Sequence, residues 1–179
     1  MKNTQEILIC GGGIIGLTLA RELDRRGYGN ITVIEKEDRP GLHASGRNSG
    51  VLHAGIYYTP ETMKARCCLA GNRLMKEYCR EKNLPLLETG KVIVARDEGE
   101  LDTLHSLYLR ARTNGADVKM IDEKELADIE PWARTAEKAL WSPETAIIDP
   151  KTIMASMHAD LVSRGIRVMT GIRFLGRKN

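Results

Sequence analysis

Apolar and polar positions along the chain follow patterns typical of strands that alternate with helices. Residues 5–10 form a short apolar run that predicts a buried strand, and residues 14–26 show helical spacing that ends at Gly27. Residues 31–34 predict a second strand, which ends in Glu35. The same patterns predict later helices over residues 59–81, 101–113, 123–130 and 150–164, and later strands over residues 91–95, 139–141, 146–148 and 166–169.

Local signals refine three of these helices. Asp122 with Glu125 is typical of a capping box, and Asp149 followed by Pro150 is typical of a helix start. The helix over residues 59–81 has a predicted buried stripe at helical spacing, formed by Met63, Cys67, Ala70, Leu74 and Tyr78.

Strands that alternate with helices indicate an α/β fold. We interpret residues 1–86 as the first part of a Rossmann-like nucleotide-binding domain. Residues 87–145 are then part of a second, α+β domain, and residues 146–179 return to the first domain.

A glycine pattern between the first strand and the first helix predicts a dinucleotide site. Gly11, Gly13 and Gly16 fit G-x-G-x-x-G: the first glycine permits the tight turn, the second lets the backbone approach a pyrophosphate, and the third allows close helix packing. The amides at the start of the helix favour phosphate. Glu35 lies where an acidic side chain can accept both ribose hydroxyls of an adenosine. The alternative is a purely structural glycine turn.

Composition and charge exclude several classes of protein. The 42% hydrophobic and 28% charged residues are ordinary for a globular protein, and the net charge of +3 is too small and dispersed to indicate nucleic-acid binding. No apolar run approaches the roughly 18 residues of a membrane span. We also expect no signal peptide, because the first strand begins close to the N-terminus.

The four cysteines lack metal-ligand or C-x-x-C spacing, so we expect no metal and a reduced state for Cys10, Cys67, Cys68 and Cys79, with Cys10 inside a buried strand. We therefore expect a cytoplasmic protein, and peripheral contact with the inner face of a membrane is an alternative.

Residues 44–58 read ASGRNSGVLHAGIYY. This loop helps to distinguish between the classes of nucleotide-binding domain. A nicotinamide-binding Rossmann domain has no need of such a loop after its second strand, which disfavours an NAD(P)-dependent reductase. Small hydroxyl and amide side chains between glycines suit close approach to phosphate or ribityl oxygens.

This loop, the GGGIIG turn and the CLAGNR string at residues 68–73 resemble the FAD-dependent oxidoreductase family that includes D-amino-acid oxidase and sarcosine oxidase. One departure is Arg47, which stands where many members have histidine. The resemblance implies a Rossmann-like FAD-binding domain with the start of an α+β substrate domain, incomplete at its C-terminus. It also implies a longer protein, and a fragment of this kind would self-associate through exposed apolar surface.

The resemblance also implies which residues hold FAD. The glycine turn would contact the pyrophosphate, Glu35 the ribose, and the following loop the phosphates and ribityl chain. The complete set of expected cofactor residues is Gly11, Gly12, Gly13, Ile14, Ile15, Gly16, Glu35, Lys36, Ser45, Arg47, Asn48, Ser49, Gly50 and Arg173, the last in an expected strand over residues 170–173.

The implied reaction is oxidation of L-2-hydroxyglutarate to 2-oxoglutarate, with hydride transfer to the flavin and electrons passed to a quinone or oxygen. His53 is the expected base, because the pKa of an imidazole is near neutral, and a structural histidine is the alternative. Tyr57, Tyr58 and Lys64 are expected substrate contacts, with core packing and solvated charge as the alternatives. An inactive nucleotide-binding remnant, or a flavoprotein for another hydroxy or amino acid, remains open.

Overall fold

The structure, a computed structural model, describes residues 3–176. The strands in this range are β1 (Asn3–Cys10), β2 (Tyr28–Ile34), β3 (Val51–Leu52), β4 (Leu86–Leu87), β5 (Lys91–Val94), β6 (Lys119–Asp122), β7 (Lys138–Ser142), β8 (Ala146–Ile148) and β9 (Arg167–Met169). The helices are α1 (Ile14–Arg25), α2 (Met63–Glu81), α3 (Leu101–Thr113), α4 (Glu123–Ile129) and α5 (Pro150–Ser163), and a short 3-10 turn (Glu98–Glu100) precedes α3. The predicted α/β class is confirmed.

Packing divides the chain into two units. Unit 1 is Met1–Gly50 with Asp149–Asn179, and unit 2 is Val51–Ile148. This division differs from the predicted boundaries after residues 86 and 145. The physical reason is that β3 pairs with β8 and that side chains of α2 bond to the turn before β8, so both elements pack within unit 2.

Unit 1 is a parallel three-stranded sheet in the order β1-β2-β9. Helix α1 packs on β2 and on α5. The buried residues include apolar side chains of the central strand and of the two helices: Ile31, Val33, Leu17, Ala20, Met157 and Leu161. The predicted start of α5 is confirmed, since Asp149 accepts a hydrogen bond from the Lys151 amide and Pro150 is the first helical residue.

Unit 2 contains two antiparallel sheets, in the orders β3-β8-β4 and β5-β7-β6. Helices cover both faces of the second sheet: Ile93 and Leu140 pack toward α3, and Trp141 packs toward α4. The predicted capping box of α4 is confirmed, with Asp122 and Glu125 bonded reciprocally.

Several expectations about single elements are wrong. The pattern missed β3, β4 and β6, of which β3 and β4 have two residues each. The expected strand over residues 170–173 is absent within the described residues, because β9 ends at Met169 and Gly171 turns the backbone at a φ of +70°. Cys10 is exposed on the sheet instead of buried.

The buried face of α2 also differs from the expected stripe. Met63, Cys67 and Leu74 are exposed, and the helix begins only after Thr62, whose hydroxyl accepts from the Ala65 amide. The residues that α2 buries are Ala65, Asn72, Lys76, Tyr78 and Cys79, so two polar side chains occupy the inner face. Within residues 3–176, no helix combines the length and the apolar character required to cross a membrane.

Gly16→Ala tests the close contact between β1 and α1. A Cβ at Gly16 would lie 1.9 Å from the carbonyl oxygen of Gly11, which is backbone and cannot move aside cheaply. We expect urea unfolding to show a loss of about 1–3 kcal/mol, as for other overpacked sites. Gly71→Ala is the matched control, because a Cβ at this second helical glycine meets nothing within 4 Å. The control should gain up to about 1 kcal/mol; equal effects in the two variants would contradict the steric argument.

Candidate functional site

The glycine turn of unit 1 connects β1 to α1 by a backbone route that side chains would block. Gly11 has a φ of +112°, and its amide donates to the carbonyl of Ile34 at 2.8 Å. A Cβ at Gly12 would lie 3.1 Å from the Glu35 side chain, and one at Gly13 would lie 3.0 Å from the Ser45 hydroxyl. The turn therefore presents backbone without side chains at the N-terminal end of α1. We call this stretch, residues 11–13, the cradle.

Glu35 lies at the end of β2 and is 7% exposed. Its Oε2 accepts from the Gly12 amide at 2.7 Å, and its Oε1 accepts from the Glu37 amide at 3.0 Å. No cationic side chain of residues 3–176 forms an ion pair with this carboxylate. Because each carboxylate oxygen has further acceptor capacity, the arrangement suits a ligand with neighbouring hydroxyl groups, such as a ribose.

Ser45 and Asn48 order the loop that follows. The Ser45 hydroxyl accepts from the Ile14 amide at 3.0 Å, so it satisfies one of the amides at the start of α1. The Asn48 side chain donates to the carbonyl of Ala44 and accepts from the Gly50 amide, both at 3.0 Å. The loop residues thus have a defined conformation next to the glycine turn.

The other predicted cofactor residues of unit 1 are more exposed. Ile15 is 80% exposed, and Lys36, Arg47, Ser49 and Arg173 also have exposed side chains. The segment before Arg173 lies beside Glu35, since the amides of residues 171 and 172 donate to the carbonyls of residues 37 and 35. The structure therefore brings the sequence around Arg173 to the end of β2.

A cavity of about 640 Å³ in unit 1 adjoins the same loop. Its basic lining residues are Arg39, Arg47, Lys151 and His158, and no acidic side chain lines it in the described part of the chain. The charge of this cavity favours an anionic ligand. With the cradle at α1 and the free acceptors of Glu35, the residues of unit 1 fit a dinucleotide.

In unit 2, the segment from His53 to Tyr58 is held from three directions. Ile56 is buried in the cluster with Leu104 and Leu140. The Asn72 side chain of α2 donates to the carbonyls of residues 52, 53 and 144 at 3.0, 3.3 and 2.9 Å. The Asn114 side chain donates to the carbonyls of residues 55 and 58 at 2.9 and 2.8 Å. These bonds make the segment a defined platform.

This platform presents His53 and Tyr57 together with Lys91 of β5. The rings of His53 and Tyr57 meet edge to face with centroids 6.4 Å apart, and Nζ of Lys91 donates to the Tyr57 hydroxyl. Desolvation, and secondarily the positive charge of Lys91, hold the pKa of His53 below its ordinary value of 6.5. A lower pKa keeps the imidazole neutral, and therefore able to accept a proton, at neutral pH.

Other predicted substrate residues take different positions. Nζ of Lys64 lies 4.6 Å from the ring centroid of Tyr58, and the Arg110 guanidinium donates to the carbonyl of Tyr57 at 3.3 Å. Sequence reasoning missed Lys91 and Arg110, whose positions depend on strand and helix packing. It also missed Asn72, although its spacing from the buried residues 65, 76 and 79 was a usable helical signal.

Comparison with known families assigns the class. The family described as FAD dependent oxidoreductase (DAO) matches residues 6–179, and the chain belongs to this family. FAD is therefore confirmed as the cofactor of the family, and the expected family resemblance is confirmed.

Relatives within the family are more specific. Over 167 residues, the chain is 42% identical to the protein of Caenorhabditis briggsae named "L-2-hydroxyglutarate dehydrogenase, mitochondrial", a match that covers 92% of this chain and 38% of the relative. The human protein of the same name is 38% identical over 96% of this chain and 37% of its own length. An Escherichia coli L-2-hydroxyglutarate dehydrogenase is 37% identical over 89% of this chain and 38% of its own length. The chain thus spans somewhat more than a third of these relatives.

Solved structures share the fold. Reduced L-α-glycerophosphate oxidase from Mycoplasma pneumoniae with FAD bound has a TM-score of 0.85 and 25% identity, and the match covers 97% of this chain and 46% of that chain. L-proline dehydrogenase from P. horikoshii has a TM-score of 0.83 and 24% identity over 98% of this chain and 46% of that one. The architecture described above is therefore that of FAD-dependent oxidoreductases.

Asn72→Leu tests the anchoring of the platform. The variant leaves three backbone carbonyls without the Asn72 amide, and we expect a loss of about 1–3 kcal/mol in the free energy of unfolding. Urea unfolding measures this, and hydrogen exchange should show faster exchange in residues 51–58. Arg73→Leu, at the exposed neighbouring position, is the control and should change stability by at most about 0.5 kcal/mol. Unchanged exchange in Asn72→Leu would refute the anchoring role.

Lys91→Met tests the electrostatic contact with His53. The NMR titration of the His53 Cε1 proton should give a midpoint below 6.5 in the wild type. Removing the Lys91 charge should move the midpoint upward, though still below 6.5, because desolvation, the larger cause, remains. Lys119→Met is the control: Lys119 pairs with Trp141, whereas Lys91 pairs with Ser142, so the two lysines lie on opposite faces of one sheet. A shift of equal size in both variants would contradict a local effect of Lys91.

Proposed function

We propose that the chain is part of an FAD-dependent enzyme that oxidises L-2-hydroxyglutarate to 2-oxoglutarate. The observation that carries the proposal is identity of about 40% with L-2-hydroxyglutarate dehydrogenases over 167 residues. The family match over residues 6–179 includes both the glycine turn and the His53–Tyr58 platform. Because the chain spans about 38% of those relatives, the activity is proposed for the whole protein to which these residues belong.

In this proposal, unit 1 is the part of the FAD-binding domain that the chain contains. The glycine turn and the start of α1 would bind the pyrophosphate, and the Glu35 carboxylate would accept hydrogen bonds from the ribose hydroxyls. The cradle at residues 12 and 13 and the free acceptors of Glu35 support these roles. The loop residues at 45–50 lie along the phosphates and ribityl chain, and Lys36 and Arg173 flank the nucleotide. Unit 2, with residues 87–145 at its centre, is the start of the substrate domain.

The platform of unit 2 supplies the protein side of the chemistry. FAD, when bound, would supply the two-electron oxidant for C2 of the substrate. A ring nitrogen of His53 accepts the proton of the C2 hydroxyl, and the lowered pKa of this imidazole supports that role. Tyr57, Tyr58 and Lys64 line the approach to His53.

The electron acceptor in this proposal is a quinone or oxygen. A cytoplasmic location, with contact at the inner face of a membrane, stays a prediction; several relatives carry the word mitochondrial in their names. The second candidate function is a nucleotide-binding unit without turnover of its own, and the partial span of the relatives favours it for these residues in isolation.

Anaerobic reduction of the flavin tests the proposed function. The protein, purified with FAD bound, should lose its visible flavin absorbance when L-2-hydroxyglutarate is added, because the substrate supplies two electrons. His53→Gln should slow this bleaching by about 10²- to 10⁴-fold, the range for removal of a general base. His105→Gln, at an exposed position of α3, is the control and should bleach at the wild-type rate.

Two results would count against the proposal. A yellow protein that L-2-hydroxyglutarate does not bleach is not an oxidase or dehydrogenase for this acid, and the nucleotide-binding unit then becomes the better description. Bleaching at an unchanged rate in His53→Gln would remove His53 from the mechanism while leaving the substrate assignment in place.

A further inference from the structure

We propose that Lys91 and Tyr57 form a carboxylate-binding subsite in unit 2 and that Lys91 is its cation. The inference rests on the proposed function, because it concerns a carboxylate of the same hydroxy-acid substrate. It assigns to Lys91 a role that the sequence pattern assigned to Lys64.

The position of Lys91 follows from the register of its sheet. Lys91 is the first residue of β5 and pairs with Ser142 of β7, so it lies on the same face as Ile93, which packs toward α3. The buried side chain of Ile56 belongs to the same apolar cluster. The platform residue that follows, Tyr57, therefore reaches the Lys91 ammonium, which donates to its hydroxyl and lies 4.7 Å from its ring centroid.

Lys91 differs in its counter-ions from Lys76, the buried lysine of α2, and from the half-buried Lys82, which pairs with Glu81 at 3.7 Å. Lys76 is 5% exposed and pairs with the carboxylates of Glu144 at 2.7 Å and Glu88 at 3.3 Å. Within residues 3–176, no carboxylate oxygen lies within ion-pair distance of the Lys91 ammonium. A partly desolvated cation without an anion gains most from an anionic ligand, because the low surrounding dielectric strengthens the attraction.

The hydrogen-bonding capacity of the pair also matches a carboxylate. The Tyr57 oxygen accepts from Lys91, which leaves the phenolic proton to be donated, and the ammonium has two further N–H donors. Two donors of this kind can bind the two oxygens of one carboxylate through charge-assisted hydrogen bonds. Tyr57 is 40% exposed, so a small ligand can reach it from solvent.

The neighbours of the pair strengthen the case. His53 lies next to Tyr57, with ring centroids 6.4 Å apart, so one small acid can contact the imidazole and the subsite together. Arg110 and Lys64 lie at the carbonyl of Tyr57 and at the ring of Tyr58, and both add positive potential. Backbone bonds from Asn114 hold the segment in place, so the subsite is preorganised.

Steady-state kinetics of the FAD-loaded protein test the subsite. Lys91→Met should raise KM for L-2-hydroxyglutarate about 10- to 100-fold, the range for loss of a hydrogen bond to a charged group, with kcat changed less than about threefold. Lys91→Arg should restore most of the loss, because it retains the charge. Lys119→Met, on the opposite face of the same sheet, should behave as the wild type.

L-2-hydroxybutyrate, which lacks the second carboxylate, shows which carboxylate is bound. A KM increase for L-2-hydroxyglutarate alone supports binding of the distal carboxylate, and an equal increase for both acids supports binding of the carboxylate next to the hydroxyl. An unchanged KM for both acids, or a fall in kcat alone, would overturn the proposal and leave Lys91 as a packing residue for Tyr57.

A binding measurement separates this inference from the proposed function. If neither acid reduces the wild-type flavin, the proposed function fails, but calorimetric titration with glutarate still examines the subsite. Glutarate binding that is at least tenfold weaker in Lys91→Met than in the wild type supports the subsite. Equal binding by the two proteins, or no binding by the wild type, overturns it.

Discussion

The conformation of residues 52–58 in unit 2 depends on hydrogen bonds from two side-chain amides to the backbone. Because residues 53–58 lie outside helices and strands, their carbonyls need other partners to hold one conformation. Asn72 supplies partners from α2 and Asn114 from the C-cap position of α3, and Ile56 adds an apolar anchor. His53 and Tyr57 can then project from a rigid backbone, which a general base and a binding group both require.

The glycine turn of unit 1 has the opposite requirement, since its conformation depends on the absence of side chains. Gly16 lets α1 approach the turn within a distance that a Cβ would forbid, and Gly12 and Gly13 relieve tight contacts with Glu35 and Ser45. Gly11 supplies the positive φ that the turn requires. The two units thus show two kinds of preorganisation: a backbone cleared of side chains at the proposed cofactor site, and a backbone bonded by side chains beside the proposed base.

Because the chain belongs to the FAD-dependent oxidoreductase family, we interpret the glycine turn of unit 1 and the platform of unit 2 as parts of a flavin-dependent enzyme. Exposed apolar residues on the sheet of unit 1, such as Leu8 and Met169, are unusual for a parallel sheet, which is normally covered on both faces. Beside Tyr57 in unit 2, the Lys91 ammonium has no carboxylate within ion-pair distance among residues 3–176.

The sequence by itself determined the α/β class, the glycine turn, the helix caps at Asp122 and Asp149, and the family, because each depends on residues that are neighbours along the chain. It did not determine which face of α2 is buried, the extent of the short strands, or the boundaries of the two units. Those features depend on contacts between distant residues: Asn72 with the turn before β8, β3 with β8, and Lys91 with Tyr57. Only tertiary packing brings such residues together, because neither hydrophobic spacing nor turn chemistry records what lies across a sheet.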